Sequence, residues 1–584
     1  MAARPDPRLS VPPTPARQPG LPAAPPAPIR TQVRTAIERA WQRAIKAGTL
    51  PALPDGSPVI DVEVARPAHP EYGDLATNLA MKLARPYRRQ PLAIAQALAD
   101  ELARDESARH GPFLVAEAIV AAPGFLNLRL ADDALERTIG AILAAPDEWG
   151  RVVVPRPRRI NVEFVSANPT GPLHIGNARG AFVGDLLCRV LEAGGHSVSR
   201  EYYFNDFNAQ VRNLGLSVLA VRLGRPIPDD GYRGAYVEDL AAEVPSTLWE
   251  QATADDADPG AVLGPWAAER CRAGIEASLE RLGVRFDVWK SEGSLHREGW
   301  VDRAIDRLRA GGHLYEKDGA LWFRSTAFGD DKDRVVRRSS GEVTYFGSDI
   351  GYVEEKFSRG FDHLVYIWGA DHHGTVARLR NAAEAMGYDR EAVEMILIAW
   401  VRFVREGREI SMSKRSGEFI TLDELLEEIG VDAARWFFGS RGHTSGIDFD
   451  IELAKKQSSE NPVYYVQYAH ARIASILRKA AAAGLAPGES VTGGLSGAPE
   501  ASLAREVVRF PEVVEDAVAA KETQGVTAFA TDLATAFHAF YRDARVVDEA
   551  EPERSRRRLA LVQATRITLA NALGLLGISA PESM

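Results

Sequence analysis

The chain has 584 residues, too many for one hydrophobic core, so length alone sets an expectation of three or four domains. Its 45% hydrophobic and 26% charged residues match a soluble globular protein, and no apolar run approaches the ~18 residues needed to span a bilayer. Two cysteines far apart, Cys188 and Cys271, exclude a disulfide framework or a multi-cysteine zinc site and fit a reducing cytoplasm; a net charge of −10 leaves room only for a local basic face.

In chain order, residues 1–30 are rich in proline and alanine, lack the apolar core of a signal peptide, and read as a disordered tail. From Thr31 to Ala145 helical patches alternate with short strands. "TQVRTAIERAWQRAIKAG" is helical by period, Tyr72 to Arg85 reads as one capped helix, and "IVAAPGFLNLRL" as strand, turn, strand. The expectation is an N-terminal α+β domain over 31–148. After the linker "VVVPRPRR", "INVEFV" alternates as a strand, Leu173 to Ala193 forms a helix stopped by Gly194 and Gly195, and "SVSREYYF" is the next strand. That βαβ pattern signals a parallel, doubly wound sheet, expected over 155–445 with a mostly helical insertion at about 208–321. Strand-like runs return at "VTYFGSDIGYV" and "HLVYIWGADHHG". Beyond "GIDFDIELAKKQSSENP" the chain reads as long helices, among them Glu500 to Lys521, Val526 to Ala544 and Arg557 to Leu576, so 452–584 is expected to be an all-α bundle.

Two stretches carry chemistry. In "SANPTGPLHIGNARGAFVGDLL" (Ser166 to Leu187), His174 and Asn177 are three apart and share a helix face, while Gly176 removes a side chain between them. A helix N-terminus there offers free N–H groups and partial positive charge to a phosphate. Alone, the stretch fits equally an ordinary strand-to-helix turn with a capping histidine. In "EISMSKRSGEFITLDEL" (Glu409 to Leu425), Lys414 sits among small and basic residues suited to presenting a cation; alone, it fits a solvated basic loop.

Together, "PLHIGN" and "SMSKR" resemble the HIGH and KMSKS signatures of class I aminoacyl-tRNA synthetases, in the right order. Within that class, "EYGDLATNLAMKLA", "NVEFVSANPTGPLHIGN", "TYFGSDIGY", "WGADHHG", "MSKRSGEFITLDELLEEIGVDAARWFF" and "NPVYYVQYAHARI" are similar to arginyl-tRNA synthetases over nearly the whole chain after the tail. The resemblance implies a Rossmann-like catalytic domain with a helical insertion, an N-terminal domain contacting the tRNA elbow, and a helical anticodon-binding domain. It implies ligation of L-arginine to tRNA(Arg) through an adenylate formed from ATP, with Mg2+ carried by the nucleotide and no metal site of the protein's own, in a cytoplasmic monomer with no membrane association.

The resemblance also assigns residues. His174, Asn177 and Lys414 would be catalytic, and His174, Gly176, Asn177, Met412, Ser413 and Lys414 would bind ATP. Glu163, Asp349 and Tyr345 would take the guanidinium, Asn168 and Ser166 the α-amino group, and His174 the carboxylate and α-phosphate. Tyr465, Tyr468, Arg472 and Met584 would meet the anticodon loop. Two positions depart from the signatures: Asn177 stands where histidine is usual, and Ser411 replaces the first lysine of KMSKS. A guanidinium is planar, always charged and carries five donors, so its pocket needs carboxylates; unpaired, they would reject uncharged analogues by roughly 10⁴-fold without an editing site. Tyr345 and Asp349, four apart, fall side by side if that segment is one helical turn. Two other readings compete. A catalytically inactive synthetase-like tRNA-binding protein would keep the fold without the reaction, and "GADHHG" (Asp371, His372, His373) would serve a DHH-type metal phosphoesterase.

Overall fold

The computed structural model describes residues 27–54, 56–104, 113–206, 208–370, 373–410, 420–495 and 497–584, with backbone only at 373 and 375. The tail, Asp371, His372 and the whole of 411–419 (Ser411, Met412, Ser413 and Lys414 included) lie outside them.

The N-terminal part packs the helices Ile29–Lys46, Leu79–Tyr87, Pro91–Ala103 and Asp132–Ala144 with an antiparallel sheet of order β1-β3-β2: β1 (Leu75–Thr77), β2 (Val115–Ala121) and β3 (Phe125–Leu130). The single helix expected over Tyr72 to Arg85 is split. Gly73 has φ 103°, a conformation that disfavours a side chain, and a Cβ there would lie 2.7 Å from the Leu128 carbonyl oxygen. The chain therefore runs flat along β3 as β1 before the helix begins after Asn78.

The centre is a five-stranded sheet of order β11-β10-β4-β5-β6, parallel at every pairing: β4 (Arg159–Glu163), β5 (Ser197–Phe204), β6 (Val288–Ser291), β10 (His363–Gly369) and β11 (Val393–Ile398). Strand order reverses between β4 and β10, the switch point where ligands of open α/β sheets bind at the carboxyl ends. The helix Ile175–Ala193 crosses from β4 to β5 and packs closely, since a Cβ on Gly184 would fall 2.2 Å from the Phe164 ring. Four helices between Ala209 and Arg281 form the insertion around a small core of their own (Leu214, Val218, Val237, Leu263). The insertion is shorter than expected, because β6 falls within 208–321 yet joins the central sheet.

Beyond β6, β7 (Leu314–Lys317), β8 (Ala320–Phe323) and β9 (Arg334–Arg337) form a small antiparallel sheet. "VTYFGSDIGYV" is not a strand: Tyr345–Ser358 is a helix, capped by the Thr344 hydroxyl accepting from the Gly347 N–H. A third sheet joins β12 (Val401–Arg405), β13 (Arg408–Glu409) and β14 (Ile447–Asp450), with β12 parallel to β14 and antiparallel to β13.

The C-terminal part is a bundle of Pro462–Ala482, Ala498–Val508, Phe510–Ala520, Gln524–Asp543 and Pro552–Leu575. The helix expected from Glu500 to Lys521 breaks at Arg509, where Pro511 opens a second helix. Ion pairs join the two ends of the chain: Arg30 with Glu515 (2.8 Å) and Asp516 (2.8 Å), Arg66 with the buried Glu512 (3.1 Å), and Arg505 with Asp74 (2.9 Å). No helix among the described residues is long and apolar enough to cross a membrane.

Candidate active site

Glu163 ends β4 and is 4% exposed, opposite Tyr366 of β10 at the switch point. The next residues turn sharply, and Val165 and Ser166 both take positive φ (67° and 43°). A β-branched residue there is strained at about 1–3 kcal/mol, tolerated only where surroundings over-determine the conformation. Here they do. The Tyr202 hydroxyl donates to the Ala167 carbonyl (2.9 Å) and accepts from its N–H (3.1 Å), while Ser166 Oγ donates to Glu163 (3.1 Å) and accepts from the Tyr203 N–H (3.2 Å). Asn168 is exposed, its amide donating to Gln210 of the insertion at 2.7 Å.

His174 caps the helix Ile175–Ala193. The Asn177 side-chain oxygen accepts from the His174 backbone N–H at 3.2 Å, so the unusual fourth signature residue closes the N-terminal turn. A Cβ on Gly176 would fall 2.8 Å from the His174 ring, which is why that position carries no side chain. The far flank of 411–419 docks on this turn: Ile175 N–H donates to the Ile420 carbonyl (3.2 Å), Leu422 N–H to the Leu173 carbonyl (2.9 Å), and His174 bridges Thr421. The near flank ends on β13, with Ile410 N–H bonded to the Phe403 carbonyl. The expected ATP residues Met412, Ser413 and Lys414 themselves lie outside the described residues.

Beside the turn lies an acidic pocket. Asp349 is partly buried on the helix Tyr345–Ser358, and burial, then the charges of Glu163 and Glu292, push its carboxyl up to about 7, against a smaller pull from Lys356. Glu292, just past β6, accepts from Asn205 and from the hydroxyls of Ser348 and Tyr203; burial raises its pKa and those bonds oppose it. The Tyr203 hydroxyl faces all three carboxylates, and burial followed by their charges keeps it protonated. Glu163 is already engaged: Lys356 Nζ, fully buried, donates to it at 2.6 Å and lies 4.3 and 4.0 Å from the Tyr352 and Tyr366 ring centres. Burial pushes the Glu163 carboxyl up, and the Lys356 charge pulls it back. Tyr345, one turn before Asp349, is 71% exposed.

Sequence reasoning missed Glu292, Tyr203 and Lys356. Their partners lie tens to hundreds of residues away, and the one usable signal was the i, i+3, i+7 face of Asp349, Tyr352 and Lys356. The side chains of Asp371, His372 and His373 lie outside the described residues, and no group of three His, Cys, Asp or Glu able to hold a metal occurs among those described.

In the helical bundle, Arg472 Nη2 donates to the Tyr468 hydroxyl (2.7 Å), and its guanidinium carbon lies 4.7 and 5.6 Å from the Tyr468 and Tyr541 ring centres. Tyr468 also stacks on Tyr464. Tyr465 turns inward to His538, its hydroxyl 3.2 Å from Thr535. Met584 is separate, lining a groove of about 560 Å³ with Tyr464, Gln467 and Asp432.

Fold and site together define a class I aminoacyl-tRNA synthetase. The family model for the class I (R) tRNA synthetase catalytic domain matches residues 138–242 and 269–438, that for the arginyl tRNA synthetase N terminal domain matches 29–130, and that for the DALR anticodon binding domain matches 466–584. The chain belongs to the arginyl-tRNA synthetase family. It is 44% identical to the arginine–tRNA ligase of a Geobacter species over 95% of this chain and all of that one. It is 46% identical to that of Moorella thermoacetica over 90% of this chain and 94% of that one. The solved arginyl-tRNA synthetase of Thermus thermophilus superposes with a TM-score of 0.72 at 25% identity, over 95% of this chain and all of that one.

Proposed function

We propose that this chain activates L-arginine with Mg-ATP to arginyl-adenylate and pyrophosphate, then transfers arginine to the terminal adenosine of tRNA(Arg). The observation that carries the reading is the convergence of Asp349, Glu292 and Glu163 at the carboxyl ends of the sheet strands, beside a helix N-terminus. Because Lys356 holds Glu163, and Glu292 already accepts from Asn205, Ser348 and Tyr203, Asp349 is the main acceptor for a guanidinium, and once ionised it supplies the bidentate partner. Tyr345, exposed one turn before Asp349, adds its hydroxyl to the guanidinium site, and Asn168 with the Ser166 backbone takes the α-amino group. The turn at His174, Gly176 and Asn177 receives the nucleotide's phosphates on backbone N–H groups, and Lys414 adds the charge that stabilises the transition state. Catalysis is positioning and charge stabilisation without a covalent enzyme intermediate. Mg2+ enters on ATP.

The Tyr468–Arg472 face, with Tyr541, suits stacking of unpaired anticodon-loop bases, and Met584 would meet the same loop from the groove it shares with Tyr464. The protein acts as a monomer, and bound tRNA is required for activation.

ATP–pyrophosphate exchange with each of the twenty amino acids, with and without total tRNA, tests the proposal. Exchange with arginine alone, and only with tRNA present, is expected. Exchange with another amino acid would overturn the pocket assignment; none at all would leave a tRNA-binding protein without the reaction.

A further inference from the structure

Arg179 lies one turn into the helix that His174 caps and is 1% exposed. Its Nη1 donates to the carbonyls of Ala399 (2.8 Å) and Trp400 (3.1 Å), its Nη2 to those of Gly442 (2.9 Å) and Ser445 (2.7 Å). All four terminal hydrogens of the guanidinium thus meet backbone carbonyls. Burial lowers its pKa, and among the described residues no carboxylate offsets that. A buried charge is costly, and here its terminal donors meet main-chain carbonyls of two loops, which an apolar side chain would leave without that partner.

The loops it holds are mechanically connected. Ala399 and Trp400 join β11 to β12, and the 439–446 segment leads into β14, the parallel neighbour of β12. The two are tied to each other by Ala399 N–H to the His443 carbonyl (2.9 Å) and Ile447 N–H to the Trp400 carbonyl (3.1 Å). The helical bundle grips the same segment as well. Thr523 Oγ1 donates to the Gly439 carbonyl (3.0 Å), and Glu522 meets His443 Nδ1 at 3.0 Å. A Cβ on Gly442 would fall 2.9 Å from the Glu522 carboxylate, so the approach is close.

We propose that Arg179 is a positioning residue for amino-acid activation: it fixes the N-terminal turn at His174 relative to the β11–β12 junction, through a loop that the helical bundle also braces. The inference rests on the synthetase reading above. It goes beyond that reading because Arg179 touches neither arginine nor nucleotide in it. Lysine in its place keeps the charge but offers three donors on a flexible stem in place of the planar fork. Four carbonyls cannot then be held at once, and a misplacement of about 1 Å at a reacting centre costs roughly 100-fold in rate.

The experiment is arginine-dependent ATP–pyrophosphate exchange by the full chain with tRNA present, with active sites counted by titration. For Arg179→Lys the expected result is a fall in kcat per active site of at least roughly tenfold, with the KM for arginine within about twofold of the parent. A role in stability alone would lower the melting temperature and the active fraction and leave kcat per active site unchanged; that outcome overturns the proposal. Should Arg179→Lys fail to fold, Thr523→Val decides, since it loosens the same loop with Arg179 intact. A fall in kcat of about two- to fivefold supports the proposal, and an unchanged kcat overturns it. Absence of exchange in the parent chain would instead sink the synthetase reading, which keeps the two failures apart.

Discussion

The carboxylate pocket and the aromatic face of the helical bundle use the same side-chain types, tyrosine with a cation, to opposite ends. In the pocket, Lys356 is fully buried between the Tyr352 and Tyr366 rings and committed to Glu163. On the bundle, Arg472 lies over Tyr468 and Tyr541, which are 38% and 41% exposed, with no carboxylate joined to it among the described residues. The first arrangement is pre-organised and closed: Lys356 and Glu163 offset each other before a ligand arrives, so removing either strands the other in low dielectric. The second leaves its ring faces open to a base at little cost, and losing one member forfeits only that contact. Buried charge yields discrimination, and exposed rings yield tolerant affinity.

The sharpest break of that contrast is Asp349→Asn. It should lower kcat/KM for arginine by roughly 10³-fold or more in exchange assays, because the guanidinium loses its ionised partner. The parent should also show a pH signature. Its Asp349 carboxyl, raised to about 7, must ionise to hold the cation, so the arginine Kd should weaken about tenfold per pH unit below about 7 and level off above. The same shift opposes folding as pH rises from the ordinary carboxylate range to about 7, since the folded state then holds the extra proton. Calorimetric titration checks the Kd slope, and the slope should vanish in Asp349→Asn.

Lys414→Ala should reduce the exchange kcat by roughly 10²–10³-fold while leaving the arginine Kd within about twofold, the pattern of a contact made only in the transition state. An unchanged kcat would remove Lys414 from the mechanism.

Lys356→Met leaves Glu163 buried without its cation, which should cost about 3 kcal/mol in denaturant unfolding. The smallest effect is expected on the bundle. Tyr468→Ala should cost about 1 kcal/mol, roughly fivefold in the KM for tRNA, with the arginine KM unchanged. An effect on arginine larger than that on tRNA would erase the contrast between the two regions.

Much of this was legible because it is local. The βαβ unit declared itself through "INVEFV", the Gly194–Gly195 stop and "SVSREYYF", and the signature turn through the spacing of His174, Gly176 and Asn177. The failures were long-range or ambiguous in period. "VTYFGSDIGYV" alternates like a strand, but its Thr344 cap decides for helix, which in turn puts Tyr345 and Asp349 on successive turns. Leu75–Thr77 became a strand because β3, fifty residues on, offered a partner. Glu292 was invisible to any local window, and Lys356 showed only as a helical spacing from Asp349, since what makes them part of the pocket is burial against Glu163 and Tyr203, supplied by other elements. The reason for Asn177 was likewise hidden until its oxygen was seen closing the turn.

The ion pairs between the two ends of the chain carry a further consequence. Arg30 and Arg66 converge on Glu512 and its neighbours, and Arg505 reaches back to Asp74, so the N-terminal domain and the bundle are joined directly and not only through the catalytic sheet. The protein thereby works as a caliper. Under the function proposed above both parts meet RNA, and these ion pairs set their spacing before any RNA arrives, so binding does not spend free energy on ordering them. A caliper measures: an RNA whose two arms are spaced differently fails to engage both jaws at once, however well either arm fits alone.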